Sequence, residues 1–181
     1  MKRLVFSSAL ILSLVLAGCG ETETENLGGT VENNVSENAD NTGTENEKTD
    51  NTEGETEENE FNQVIVDNEN YKATLLEIVK KKDPIFGESI QVVFEIENKL
   101  DYAIGVQARS VSADGYMVDE TILSMSQEVA AGKKAKAVLS IEDFEGYDFP
   151  ELKEDFEMDL HVFNYDSFED IAQHEVKVSF E

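Results

Sequence analysis

The stretch Ile90-Gln91-Val92-Val93-Phe94-Glu95-Ile96-Glu97 decides the fold. Ile90, Val92, Phe94 and Ile96 fall at every second position, with Gln91, Glu95 and Glu97 between them and Val93 as the one exception. Successive side chains of an extended chain point to opposite faces, so a period of two marks a strand with one buried face; a helix would repeat every 3.6 residues. Asn98-Lys99-Leu100-Asp101 interrupts the alternation, which resumes at Tyr102, Ile104, Val106 and Ala108. The two runs predict an antiparallel hairpin.

The same reading extends in both directions. Tyr71, Ala73 and Leu75 alternate after the turn-like Asp67-Asn68-Glu69-Asn70, and Val64 to Val66 makes a short strand before it. Downstream, Ala113-Asp114-Gly115 and Ala130-Ala131-Gly132 supply turns whose glycines accept positive φ. The second of these separates Ile122 to Val129 from Ala135, Ala137, Leu139 and Ile141, and two more runs follow: Met158, Leu160, Val162 and then Val176, Val178, Phe180. Residues 142–155 break the pattern, contain Pro150 and read as a loop with at most one helical turn.

Seven or eight short strands within residues 61–181 favour two packed sheets, because a single sheet would leave its apolar face in water. The expected fold is all-β, an immunoglobulin-like β-sandwich, with a small barrel as the alternative. The Cys…Trp…Cys signature of antibody-type domains is absent, since residues 61–181 contain neither cysteine nor tryptophan.

Residues 1–18 have a different character. Lys2 and Arg3 precede a 13-residue, largely apolar run from Leu4 to Leu16, shorter than the roughly 20 apolar residues that span a bilayer. Leu16-Ala17-Gly18-Cys19 then resembles the bacterial lipobox. That resemblance implies diacylglycerol on the Cys19 thiol, cleavage between Gly18 and Cys19, and a protein lipid-anchored at the extracytoplasmic face of the cell membrane. Because Cys19 is the sole cysteine, no disulfide forms within the chain.

Residues 19–60 carry the lipidated cysteine and then an abrupt change to Glu, Asn, Thr, Asp and Gly, with 14 acidic residues against Lys48 alone. Such a composition buries too little to fold, and it predicts a disordered acidic stalk with an end-to-end distance of roughly 35 Å. Recognition of a basic partner or of cations is the other reading of the run. With a net charge of −26 over 181 residues, nucleic acid is not an expected partner, and anionic lipid is a poor one.

Phe94-Glu-Ile-Glu-Asn-Lys99, Val106-Gln-Ala-Arg-Ser-Val111, Gly115-Tyr-Met117 and Val129-Ala-Ala-Gly-Lys-Lys134 are similar to an uncharacterised immunoglobulin-like domain family of Gram-positive surface lipoproteins. The resemblance implies a fold and an address and assigns no activity.

Residues able to do chemistry are scattered. Asp159-x-His161 could set two ligands side by side, but His174 is distant and no HExxH or Cys/His spacing occurs, so the histidines read as surface residues. Asp143, Glu145 and Asp148, with Glu142 nearby, are the candidate calcium ligands, although their spacing is not that of a calcium loop; Asp166, Glu169 and Asp170 form a second acidic group. No Gly-x-Ser-x-Gly elbow and no phosphate-cradling glycine loop is present. Arg109, Lys133, Lys134 and Lys136 are either sheet-edge guards or a positive patch for an anionic glycopolymer.

Phe144, Tyr147 and Phe149 are the candidate contact region. The expected function is therefore an anchored interaction or ligand-binding module for a protein or cell-wall partner, not an enzyme and without cofactor. A structural envelope component and a hydrolase with an unrecognised site are the alternatives.

Overall fold

The computed structural model describes residues 22–32 and 61–180. The expectations placed on residues 1–18, on Cys19 and on residues 33–60 lie outside the described residues.

Strand β5 (Gly87–Asn98) follows from the alternation: Ile90, Val92, Phe94 and Ile96 are fully buried. It lies between β4 (Tyr71–Asp83) and β10 (Lys134–Glu142), with Phe94 opposite Leu75 on one side and Ala137 on the other. In β4, Leu75 and Ile78 both reach the core although they are three residues apart. A bulge between Leu75 and Glu77 inserts the extra residue and reverses the phase of alternation. Strict period-two reading therefore stops at Leu75, while the strand runs on to Asp83.

The predicted hairpin between the runs at Ile90 and Ile104 does not form. Strand β6 (Ile104–Ala113) belongs to the opposite sheet, beside β11 (Asp155–Asn164). Asn98 is the reason. Its side chain is 1% exposed and fully used: Nδ2 donates to the carbonyls of Tyr102 at 2.8 Å and Val129 at 2.9 Å, and Oδ1 accepts from the Leu100 amide at 3.0 Å. These bonds carry the chain over the end of the core, so Ile96 and Ile104 face each other's sheets instead of sharing one.

The first sheet has the order β1 (Glu23–Asn26), β4, β5, β10, β8 (Leu123–Ser124), with β3 (Gln63–Asp67) also on β4. The second has the order β2 (Thr30–Val31), β12 (Asp170–Ser179), β11, β6, β7 (Tyr116–Met117), with β9 (Gln127–Val129) also on β6. Every pairing is antiparallel. The fold is an all-β sandwich in which the strands of five or more residues number seven; the strand expected over Ile122 to Val129 is instead split into the end of a 3-10 turn and the short β8 and β9, which join opposite sheets. Residues 142–155 contain no helical turn; the single 3-10 turn among the described residues is Glu120–Ile122.

Tyr71, Leu75, Phe94 and Leu139 from the first sheet meet Phe156, Met158, Leu160 and Val178 from the second in one core. Each large side chain so buried contributes about 1.5–3 kcal/mol.

Residues 22–32, expected to belong to a disordered stalk, are instead part of the sandwich. Glu23, Thr24, Glu25 and Asn26 pair with Lys82, Lys81, Lys80 and Val79 of β4, and Thr30 and Val31 pair with Ser179 and Val178 of β12. A composition argument weighs apolar side chains, but an edge strand gains its hold from backbone hydrogen bonds and cross-strand charge, here two glutamates against three lysines. Leu27 and Val31 pack on the core, and the Leu27 and Glu32 amides donate to the Ile78 and Lys177 carbonyls at 2.8 and 2.9 Å. Gly29 makes the crossing between sheets; a Cβ there would lie 2.8 Å from the Ser179 carbonyl oxygen.

Candidate functional site

Antiparallel register gathers several loops at one end of the sandwich. The β4–β5 turn leaves from Asp83 and returns at Gly87. Glu142, the last residue of β10, pairs with Ser89, and the Asp143 amide donates to the Glu88 carbonyl at 3.0 Å, which brings the 143–154 loop alongside. Phe156 pairs with Ala113, so the β6–β7 turn reaches the same end. The N-terminal segment begins there too, since Glu23 is opposite Lys82 and the Thr22 hydroxyl donates to Asp83 Oδ2 at 2.8 Å.

This end is unusually apolar for a set of turns. Ile85 is 79% exposed and Phe86 85%, at the tip of β4–β5; Tyr116 and Met117 are 80% and 70% exposed on β7. Phe144 and Tyr147 on the 143–154 loop are a little under half exposed, whereas Phe149 is partly buried against the core. Of the predicted contact residues, the structure thus leaves Phe144 and Tyr147 available and gives Phe149 a packing role. Ile85, Phe86 and Met117 were missed. Their signal is in the sequence: Asp83-Pro84-Ile85-Phe86-Gly87 has the residues of a tight turn at its ends and large apolar residues where turns are ordinarily polar.

Both turns are stiffly held. Asp83 Oδ1 accepts from the Ile85 and Phe86 amides at 2.8 and 3.0 Å, and Gly87 takes φ 84°, so three turn residues are closed by a left-handed glycine. These backbone bonds, with the Thr22 hydroxyl, keep the Asp83 carboxyl below its ordinary pKa. At the β6–β7 turn, Asp114 Oδ1 accepts from the successive amides of Lys153, Glu154 and Asp155 at 2.8, 2.7 and 3.4 Å. Leu152 stands at φ 52°, which aims that run of amides at the carboxylate. Desolvation raises the Asp114 pKa, but the three amides and Lys153 outweigh it and hold the carboxyl below the usual range. Lys80 further ties β4 to the loop by donating to the Glu151 carbonyl.

The remaining candidates do not converge. His161 is not a surface residue: it is 4% exposed, its Nε2 is 2.7 Å from Asp170 Oδ1, and its ring stacks on Phe163 at 5.4 Å. The outer face of the second sheet is covered locally by Phe163 and Phe168, which buries a position that alternation reads as solvent-facing. His174 pairs with Leu160, the neighbour of His161, and so points to the other face, where its Nε2 is 2.6 Å from the Tyr71 hydroxyl. Burial pushes the His174 pKa down and the Tyr71 pKa up.

Asp143, Glu145 and Asp148 are exposed, and among the described residues no three His, Cys, Asp or Glu side chains are placed to hold a metal ion. Arg109 is on the second sheet while Lys133, Lys134 and Lys136 are at β10 of the first, so the four do not make one patch. Lys134 instead bridges Glu95 and Glu97 at 3.4 and 3.0 Å. No helix among the described residues is long and apolar enough to cross a membrane.

Comparison with protein-family models, with curated proteins and with solved structures gave no match, so any functional reading rests on the residues and geometry above.

Proposed function

We propose that the chain is an exported lipoprotein, attached by lipid on Cys19 to the extracytoplasmic face of the membrane, and that its sandwich is an interaction module and not an enzyme. The observation that carries this reading is positional. The first paired residue, Glu23, lies four residues beyond Cys19 in the sequence and at the same end as the exposed apolar turns, so a lipid on Cys19 would draw that end toward the membrane. Membership of the Gram-positive surface-lipoprotein family named above belongs to the same proposal.

A single acyl chain holds a protein only marginally and two or three hold it durably, each buried methylene contributing about 0.8 kcal/mol. The test is intact mass and localisation. Protein from the membrane fraction should carry diacylglycerol on Cys19, and Cys19→Ala should remain unprocessed and unlipidated. Mature, membrane-bound protein from the Cys19→Ala variant sinks the proposal.

A further inference from the structure

We infer that the β4–β5 turn inserts Ile85 and Phe86 into the lipid interface beside the anchor, so that the sandwich rests on the membrane by its apolar end. The orientation, though not the apolarity of the tip, rests on the lipidation of Cys19 proposed above.

Chain length supplies the first argument. From Cys19 to Glu23 there are four residue steps, which span at most about 14 Å when fully extended. The headgroup layer on each side of a bilayer is about 5–8 Å thick. Glu23 is opposite Lys82, and the turn extends beyond that pair through Asp83 to Gly87, so the tip shares the narrow zone to which the anchor confines its neighbours.

Charge supplies the second. Pro84, Ile85, Phe86 and Gly87 carry none, and the charges on either side are already satisfied: Lys82 and Glu88 pair at 2.7 Å, and Asp83 is occupied by two backbone amides and the Thr22 hydroxyl. Drying this turn therefore strands no unpaired charge. Beside the turn Glu23, Glu25, Asp83 and Glu88 face Lys80, Lys81 and Lys82, and the adjoining 143–154 loop adds five acids against Lys153, so this end is acidic and attraction to a zwitterionic surface is apolar and not ionic, which distinguishes the tip from a polybasic membrane site. The turn is also rigid before it meets lipid, so little ordering cost is added.

The absence of tryptophan from the chain gives a clean reporter. Phe86→Trp places a single tryptophan at the tip, and Phe168→Trp places one at a site 72% exposed on the β11–β12 turn, at the far end of the sandwich. The processed full-length protein is reconstituted in phosphatidylcholine vesicles with and without brominated acyl chains, and mass spectrometry reports the Cys19 adduct in the same sample. The expected result is blue-shifted emission of the Phe86→Trp tryptophan, quenched about twofold or more by bromolipid and unchanged in high salt, with the Phe168→Trp tryptophan remaining aqueous.

If the adduct is missing, the same reporter is read on protein added to preformed vesicles. Insertion there retains the tip proposal while lipidation falls, and Ile85→Ser in the Phe86→Trp protein should lower that partitioning severalfold or more. Aqueous emission from the Phe86→Trp tryptophan in the lipidated protein overturns the inference and leaves lipidation standing. Aqueous emission in both formats overturns it as well, and so does a blue shift that needs no vesicles, because it assigns the tip to a second copy of the chain or another protein surface.

Discussion

Gly105 in β6 is opposite Phe163 in β11, and the phenylalanine ring lies across the glycine. A Cβ at position 105 would be 2.7 Å from Phe163 Cε1 and closer still to Cζ and Cε2. Replacing Gly105 by alanine must therefore displace a ring that is 6% exposed and stacked between His161 and Phe168 at 5.4 and 6.1 Å. Overpacking of this kind costs about 1–3 kcal/mol, against which alanine recovers about 0.5–1 kcal/mol of backbone entropy relative to glycine in a strand. Gly105→Ala alone should be destabilising by about 1–2 kcal/mol, a fall in Tm of several degrees.

In a Phe163→Ala background the clash is gone and only the entropic gain is left, so the same substitution should become neutral or stabilising by up to about 1 kcal/mol. Urea unfolding of the four proteins, followed by circular dichroism, measures the cycle. Equal destabilisation of both backgrounds by Gly105→Ala would refute the reasoning, since the cost would then arise from something other than the ring.

Two further outcomes concern titrating groups. Asp114→Ala removes the acceptor of three successive amides and should cost about 1 kcal/mol at neutral pH, a figure already reduced for a partly exposed carboxylate. Because the folded carboxyl titrates below its ordinary 3.8, that contribution is present above this pH and is lost as pH falls through the folded value, so the gap between wild type and variant should narrow in acid to the backbone strain that alanine meets at φ 51°. For His174 burial lowers the pKa below 6.5, so the unfolded chain binds a proton that the fold resists. Stability should be full above that pH and decline below it, and His174→Gln should flatten this part of the stability profile; identical slopes would show that the histidine is not linked to folding.

The fold was legible where alternation was unbroken. β5, β11 and most of β6 follow from every-second-residue apolar positions, and the glycine turns lie where positive φ is needed, at Gly115 with φ 76° and Gly132 with φ 63°. What alternation could not reveal is which sheet a strand joins: the passage from Ile96 to Ile104 is a crossover because of three hydrogen bonds to one buried asparagine, an effect of tertiary structure on a sequence that reads as a hairpin. The second half of β4 was hidden by a bulge, and His161 by aromatic cover on a face that should be wet. β1 and β2 were hidden for a different reason. Strands of four and two residues that dock by backbone bonds and charge have almost no side-chain pattern to read. At the contact end, Phe144 and Tyr147 were visible as aromatics in a loop, but Ile85 and Phe86 needed the knowledge that a stretch of β4–β5 sequence is a turn.

That pairing of residues 22–32 alters what a lipid anchor on Cys19 would do. A stalk of 41 residues would let the domain explore a volume tens of ångströms across, and an apolar tip offering two side chains would then compete poorly with water. With three residues between Cys19 and the first strand, a lipid on Cys19 would present the tip to the surface at an effective concentration of order millimolar. A tip with intrinsic affinity of about millimolar is then substantially occupied, so the small apolar area of Ile85 and Phe86 suffices for orientation, and without the anchor it gives the weaker partitioning that an excess of vesicles reveals. The acidic residues between positions 32 and 61 no longer lengthen the tether, because the chain is paired on both sides of them, at Glu32 to Lys177 and at Phe61 to Leu76. If Cys19 carries the proposed lipid, that lipid supplies attachment, β1 fixes which end of the sandwich it pulls toward the bilayer, and the turn needs only to be apolar, rigid and free of unpaired charge.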